Sequence, residues 1–259
     1  QLSLGSNRAQ GAGGTVNLAF RKGALTVQHA LTAQGVATPQ VQLAALGLDG
    51  RMRASANFTR LEVETDFTGS GVAGGGGLFT ALANAETSAK GTLAGPLLAQ
   101  IRTALAREAR GSRFSGSAIL RRADNATSLV VPRATLNGGS GQALLALSRF
   151  QLLANGAPLP QITGNFFTGG AGLPKIAGRM ERASSGGLML RVRMPEYRAG
   201  DSRIALPELA VTQSRGGALR FDGIANLSGA LPGGRAEGLI LPLNGSWSEA
   251  GVLQLWPTC

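Results

Sequence analysis

Apolar and polar residues alternate one by one through most of this chain, and a fold must accommodate that period of two. A β-strand turns successive side chains to opposite faces, so strict alternation builds a sheet with one dry side and one wet side. Between residues 15 and 21, Val16, Leu18 and Phe20 share a face opposite Thr15, Asn17 and Arg21. In the next run Leu25, Val27 and Leu31 align, with His29 on the same side. Residues 51–58 set Met52, Ala54, Ala56 and Phe58 against Arg51, Arg53, Ser55 and Asn57, and residues 61–67 set Leu61, Val63 and Phe67 against Glu62, Glu64 and Asp66. Further on, Leu188, Leu190, Val192 and Met194 stand opposite Arg191 and Arg193. Leu219, Phe221, Ala225 and Leu227 stand opposite Arg220, Asp222, Asn226 and Ser228. This is the pattern of antiparallel strands with one face in water. Turn signals such as Asn137-Gly138-Gly139, Gly169-Gly170 and Gly186-Gly187 separate further candidate strands. These fall at about 116–122, 127–136, 141–153, 161–168, 175–182, 188–197, 202–213, 218–228, 236–245 and 251–256, the spacing of a meandering, mainly β architecture.

The middle of the chain breaks the pattern. Gly74 to Gly77 reads as a flexible break, and the residues after it as a short helix. A second helix follows Gly95-Pro96, with Leu97, Leu98, Ile101 and Leu105 at helical spacing, Pro96 in the first turn and Gly111 at the C-terminal cap. Arg102, Arg107 and Arg110 fall outside that apolar stripe. The expected organisation is therefore a β segment over 1–73, a Gly-rich linker with a helical insertion over 74–111, and a second β segment over 112–259.

The chemistry-bearing residues are few. His29 is the sole histidine and Cys259 the sole cysteine of the 259 residues, so a metal site built on His and Cys is not expected, nor is a cofactor. A Ser-His-Asp triad would have to use His29, which sits on an apolar face and reads as a hydrogen-bonded core residue. Glu62, Glu64 and Asp66 read as a solvated strand face rather than an acid–base pair. Gly69–Gly74 matches G-x-G-x-x-G, but further glycines delay the helix and no acidic residue follows about 20 positions on, so a dinucleotide site is discounted. Asn-x-Ser/Thr triplets at Asn57, Asn125, Asn226 and Asn244 matter only in a glycosylating host. An enzyme is not expected.

Composition narrows the partners. The net charge is +11, and arginine supplies every basic position except Lys22, Lys90 and Lys175. These arginines are scattered singly on polar faces without stacking aromatics, which argues against nucleic acid. No run of 18 apolar residues is present to make a membrane-spanning helix. The chain opens at Gln1 without Met and ends just after a strand-like run, and reads as an internal piece of a longer protein. Cys259 is then a buried thiol or half of a disulfide with a partner elsewhere.

The dry faces have two physical outlets. They cover one another in a closed sandwich, or they form one long curved sheet with an open apolar groove, which marks a site for something greasy. Alternation does not choose between these. Leu206-Pro207-Glu208-Leu209, GALRFDG at Gly217–Gly223, LNGSW at Leu243–Trp247, the terminal LQLWPTC and SRFSGSAILRR at Ser112–Arg122 resemble the YdbH family of the AsmA/TamB-like envelope proteins. The resemblance covers residues 110–259 well and 1–90 by pattern. It implies a large protein anchored in the inner membrane of a Gram-negative bacterium, with a periplasmic β-sheet folded around a hydrophobic groove. Its members are thought to carry phospholipid between inner and outer membranes, and the family is also described as one of dicarboxylate transport. On that resemblance, the anchor lies outside this fragment, and Val16, Leu18, Phe20, Leu25, Val27, Leu31, Leu61, Val63, Phe67, Leu188, Leu190, Val192, Met194, Leu219, Phe221 and Leu227 line a groove for phospholipid acyl chains. Arg102, Arg107 and Arg110 become candidates for contact with anionic headgroups. No catalytic residue or cofactor is implied, and the partners at either membrane stay unspecified. The alternative is a structural or adhesin-like β-solenoid of the cell envelope without lipid; a β-sandwich enzyme is disfavoured by the missing catalytic residues.

Overall fold

The computed structural model describes residues 2–4, 7–38, 41–74, 76–156, 160–182, 187–213, 218–248 and 253–255. Cys259 and the preceding Trp256-Pro257-Thr258 lie outside the described residues. The chain begins with β1 (Leu2–Leu4), β2 (Asn7–Ala9), β3 (Gly11–Arg21), β4 (Ala24–Ala37), β5 (Val41–Ser55), β6 (Arg60–Ser70) and β7 (Ala73–Gly74). Two helices interrupt the strands, α1 (Gly76–Ser88) and α2 (Ala94–Ala109). The meander then resumes with β8 (Arg113–Ala123), β9 (Ala126–Asn137), β10 (Ala143–Ala154), β11 (Gln161–Gly170), β12 (Leu173–Arg182) and β13 (Leu188–Ala199). It closes with β14 (Ser202–Gln213), β15 (Leu219–Leu231), β16 (Gly234–Pro242), β17 (Gly245–Trp247) and β18 (Leu253–Leu255).

All these segments hydrogen-bond into one antiparallel sheet. Three rungs are interrupted: β2 and β3 both pair with β4, β6 and β7 with β5, and β16 and β17 with β15. Eighteen segments thus make fifteen rungs of an open sheet that is not closed into a barrel. β6 pairs directly with β8, from Arg60↔Ala123 to Ser70↔Arg113, so the sheet runs unbroken past the helical insertion.

The ladders of β3 to β6 hold one register along their length. From β8 onward the register shifts repeatedly, between Gly116 and Ile119, Ser148 and Gln151, Val192 and Tyr197, and Ala205 and Glu208. Each shift marks a bulge, which bends its strand and tightens the local twist. Of these bulged strands, β13 and β14 are the ones on which α2 lies. Leu93, Leu97, Met194, Tyr197 and Ala199 form a buried cluster there, flanked by Ile101, Ile176, Ile204, Leu206, Leu227 and Leu231.

The structure corrects two local expectations. Met52 and Ala54 lie on the apolar face, but β5 ends at Ser55, and Ala56 and Phe58 belong to a turn. Asn57 closes that turn by accepting from the Ser55 hydroxyl, the Thr59 hydroxyl and the Thr59 N–H, and this puts Phe58 at φ 53 and in water. The break expected at Gly74–Gly77 is shorter, since α1 already begins at Gly76. α2 ends as its sequence predicts, with Arg110 extended and Gly111 at φ +74 supplying the left-handed turn that follows a helix.

Candidate functional site: an apolar face crossing twelve strands

Residues directly opposite across an antiparallel ladder point to the same face, so the register traces continuous rows across the sheet. One row is Leu18, Val27, Met52, Val63, Leu120, Leu129, Leu152 and Ile162, on eight successive rungs. A second runs Gly14, Leu31, Leu48, Phe67, Gly116 and Ala134, then Leu147, Phe166, Gly178, Val192, Leu209 and Gly223, from β3 to β15 without a polar side chain. At a strand spacing of about 4.8 Å, twelve rungs span about 50 Å. A third row joins Met180, Leu190, Val211 and Phe221. Toward one strand end, Phe20, Leu25, Ala54 and Leu61 align, with Leu188 and Leu219 at the corresponding end of β13 and β15.

The opposite face is as consistently polar. Arg133, Ser148, Asn165, Arg179, Arg191, Ala210 and Asp222 make one of its rows. Ion pairs Arg51–Glu64, Arg121–Glu62 and Arg191–Glu181 cross its ladders. Exposed pairs of this kind contribute at most about 1 kcal/mol each. A hollow of about 660 Å³ lies on this side, lined by Thr15, Asn17, Gln28, Asp49, Arg51 and Glu64 among others.

The apolar rows are kept level by a recurring device. Phe67 lies over Gly116, Phe114 over Gly69, Phe166 over Gly178 and Phe221 over Gly245; a Cβ on any of these glycines would collide with the ring. Each phenylalanine is the ladder partner of its glycine. The ring therefore lies flat in the space that a side chain would fill, instead of standing up from the sheet. His29 is a polar residue on the apolar face, between Val16 and Gly50. Its Nε2 is 3.5 Å from the Thr65 hydroxyl, which also donates to the Asp49 carbonyl, so the two polar groups satisfy each other locally.

Among the described residues, no second layer packs on the long row. Strands pack against their ladder neighbours, and the helices pack against each other, β7 and β12–β14. Val16, Leu18 and Phe20 on the edge strand are 52%, 69% and 65% exposed, and Leu31 and Leu219 are exposed too. Leu25, Leu61, Val63, Phe67, Leu188, Leu190, Val192, Phe221 and Leu227 are half-buried, and Val27 is buried within its ladder. Met194 differs, because it sits under α2 at 6% exposure.

α2 covers one end of strands β12 to β15. Its Leu97 and Ile101 press on the sheet, while Leu98 and Leu105 are half-buried. The turns at that end hold it in sequence. Leu93 N–H donates to the Ala230 carbonyl at 2.6 Å, and the Gln100 amide and the Tyr197 hydroxyl donate to the Gly172 carbonyl at 3.4 and 2.9 Å. Arg107 donates to the Ala171 carbonyl. Glu108, 2% exposed, accepts from the Ser140 N–H at 3.0 Å and the Ser140 hydroxyl at 2.7 Å. Those two hydrogen bonds, with a smaller contribution from Arg107, hold the Glu108 carboxyl below the ordinary range. Of the arginines singled out on this helix, Arg102 is bound by Glu86 of α1 and Arg107 by the Ala171 carbonyl and Glu108. Arg110 is exposed and makes no hydrogen bond or ion pair among the described residues.

A family model described as "YdbH-like: Intermembrane phospholipid transport protein YdbH" matches residues 1–259. The chain belongs to the YdbH-like family. Comparison with curated proteins and with solved structures returns no match. The YdbH-like family is one of phospholipid transport between membranes. Among the described residues, no helix is long and apolar enough to cross a membrane, and no group of His, Cys, Asp and Glu is placed to hold a metal ion.

Proposed function

We propose that this chain is a groove segment of a periplasmic bridge protein, along which phospholipid acyl chains move between the inner and outer membranes of a Gram-negative cell. The row from Leu31 to Leu209 is the observation that carries this reading, since it crosses the sheet without a polar side chain and, among the described residues, no layer packs on it. Its length, about 50 Å, is about three times the roughly 15 Å half-thickness of a bilayer's hydrocarbon core, so it exceeds a single acyl chain. Each CH₂ held on it contributes about 0.8 kcal/mol, enough to retain a lipid without specific headgroup chemistry. Transport also requires neighbouring positions of similar affinity. Rungs lined alike by Leu, Val, Met and flattened Phe supply them, where a single deep pocket would trap the lipid. The adhesin-like alternative needs a closed core, and an apolar face without a covering layer does not favour it.

Carboxylates placed in the row test the proposal. Leu48→Asp and Leu147→Asp should stop the movement of newly made phospholipid to the outer membrane in cells that depend on this protein for it. Ser148→Asp, next to Leu147 but on the polar face, should leave the movement unchanged. Normal transport in both row variants, with the proteins folded, would contradict the groove.

A further inference from the structure

Resting on the groove reading, we infer that Arg122 and Arg182 are contact points for the phosphate of a bound phospholipid, placed along the one rim of the groove that α2 leaves open. The ladder register assigns both to the apolar face. Arg122 stands opposite Leu61 and Thr127, and Arg182 opposite Leu188. Every carboxylate in strands β3 to β16 lies on the polar face, where Glu62, Glu64 and Glu181 are already paired with arginines. Arg122 and Arg182 are exposed and make no hydrogen bond or ion pair with a described residue. A cation on an apolar face, held in no ion pair with a described carboxylate, keeps its charge available for an anion that arrives with apolar surface attached.

Their position along the strands is the second observation. Both sit at the strand ends that adjoin the 22–23, 56–59 and 124–125 turns. The opposite ends of β12 to β15 are covered by α2, which is fixed to the turns at 138–140, 171–172 and 230. A lipid lying across Leu190, Val211 and Phe221 thus has its open side toward Arg182 and not toward the helix. Four rungs separate Arg122 from Arg182, about 19 Å along the direction of travel. They make two stations on one rim, and a guanidinium presents to each phosphate the paired N–H donors that suit it.

The test uses the full-length protein, loaded from vesicles of phosphatidylglycerol or of diacylglycerol with the same acyl chains in a phosphatidylcholine host. Wild type should retain phosphatidylglycerol about tenfold better than diacylglycerol, the size expected of a charge-assisted hydrogen bond. The double variant Arg122→Gln/Arg182→Gln should bring that ratio near one, while Arg193→Gln on the polar face leaves it unchanged. A ratio unaffected by the double variant overturns the inference and leaves the groove standing. Retention of neither lipid by wild type overturns the groove and the inference together. Competition by millimolar inorganic phosphate as strong as that by phosphatidylglycerol would make these residues a free-anion site and also overturns it.

Discussion

At the scale of single residues, the four Phe–Gly pairs and the Glu108 carboxylate are the most exposed to test. Gly178→Val puts a branched side chain where the Phe166 ring lies, so the ring has to stand up into the apolar face. We expect a loss of about 1–3 kcal/mol, the usual cost of overpacking, read from the urea midpoint at unchanged m-value. Glu108 gives a pH dependence whose sign is fixed. Its carboxyl is held below the ordinary 4.5, so the folded state favours the charged form. Its contribution to stability is full above the unfolded value and disappears as pH falls through the lowered folded one. The Tm difference between wild type and Glu108→Gln should therefore be largest near neutrality and shrink toward zero in acid. A difference that grows below pH 4 would contradict the assignment. Neither feature is legible along the chain. Phe166 and Gly178 meet only because β11 and β12 pair, and Glu108 reads as one more polar residue on a helix until Ser140 is brought to it.

Among elements, strand positions were the legible part, because alternation is local and each Gly-rich turn interrupts it. Residues 188–199 and 202–213 form strands within two residues of where the pattern puts them. The bulges were not legible. Leu152 and Phe150 share a face with Leu147 and Leu145 only because Arg149, at φ 52, takes up an extra position and reverses the parity. The docking of α2 was hidden as well. Its apolar stripe predicts a buried side, but the surface that buries it lies on strands that begin about 70 residues later in the chain. The arginines of that helix looked available in the sequence, and two of them are held by groups that sequence spacing does not reveal. Leu97→Asp should release the helix from the sheet while the ladders survive. Amide exchange should then accelerate over 93–109 and stay slow in β4–β5. Loss of protection in both regions would mean that the helix is integral to the sheet's stability.

The whole molecule is an open antiparallel sheet, on whose apolar side, among the described residues, only α2 packs. An environment-sensitive apolar dye should bind the native protein at neutral pH, with sigmoidal unfolding still intact, whereas a closed core binds such dyes only after partial unfolding. The central claim is that acyl chains occupy this face in the cell. The most direct measurement places a photo-crosslinking residue at Leu190, Val192 or Phe221 of the full-length protein in living cells, with Arg191 as the polar-face control. The groove predicts phospholipid adducts at the three apolar positions and none at Arg191. Adducts at none of the four, or equally at all of them, would contradict it.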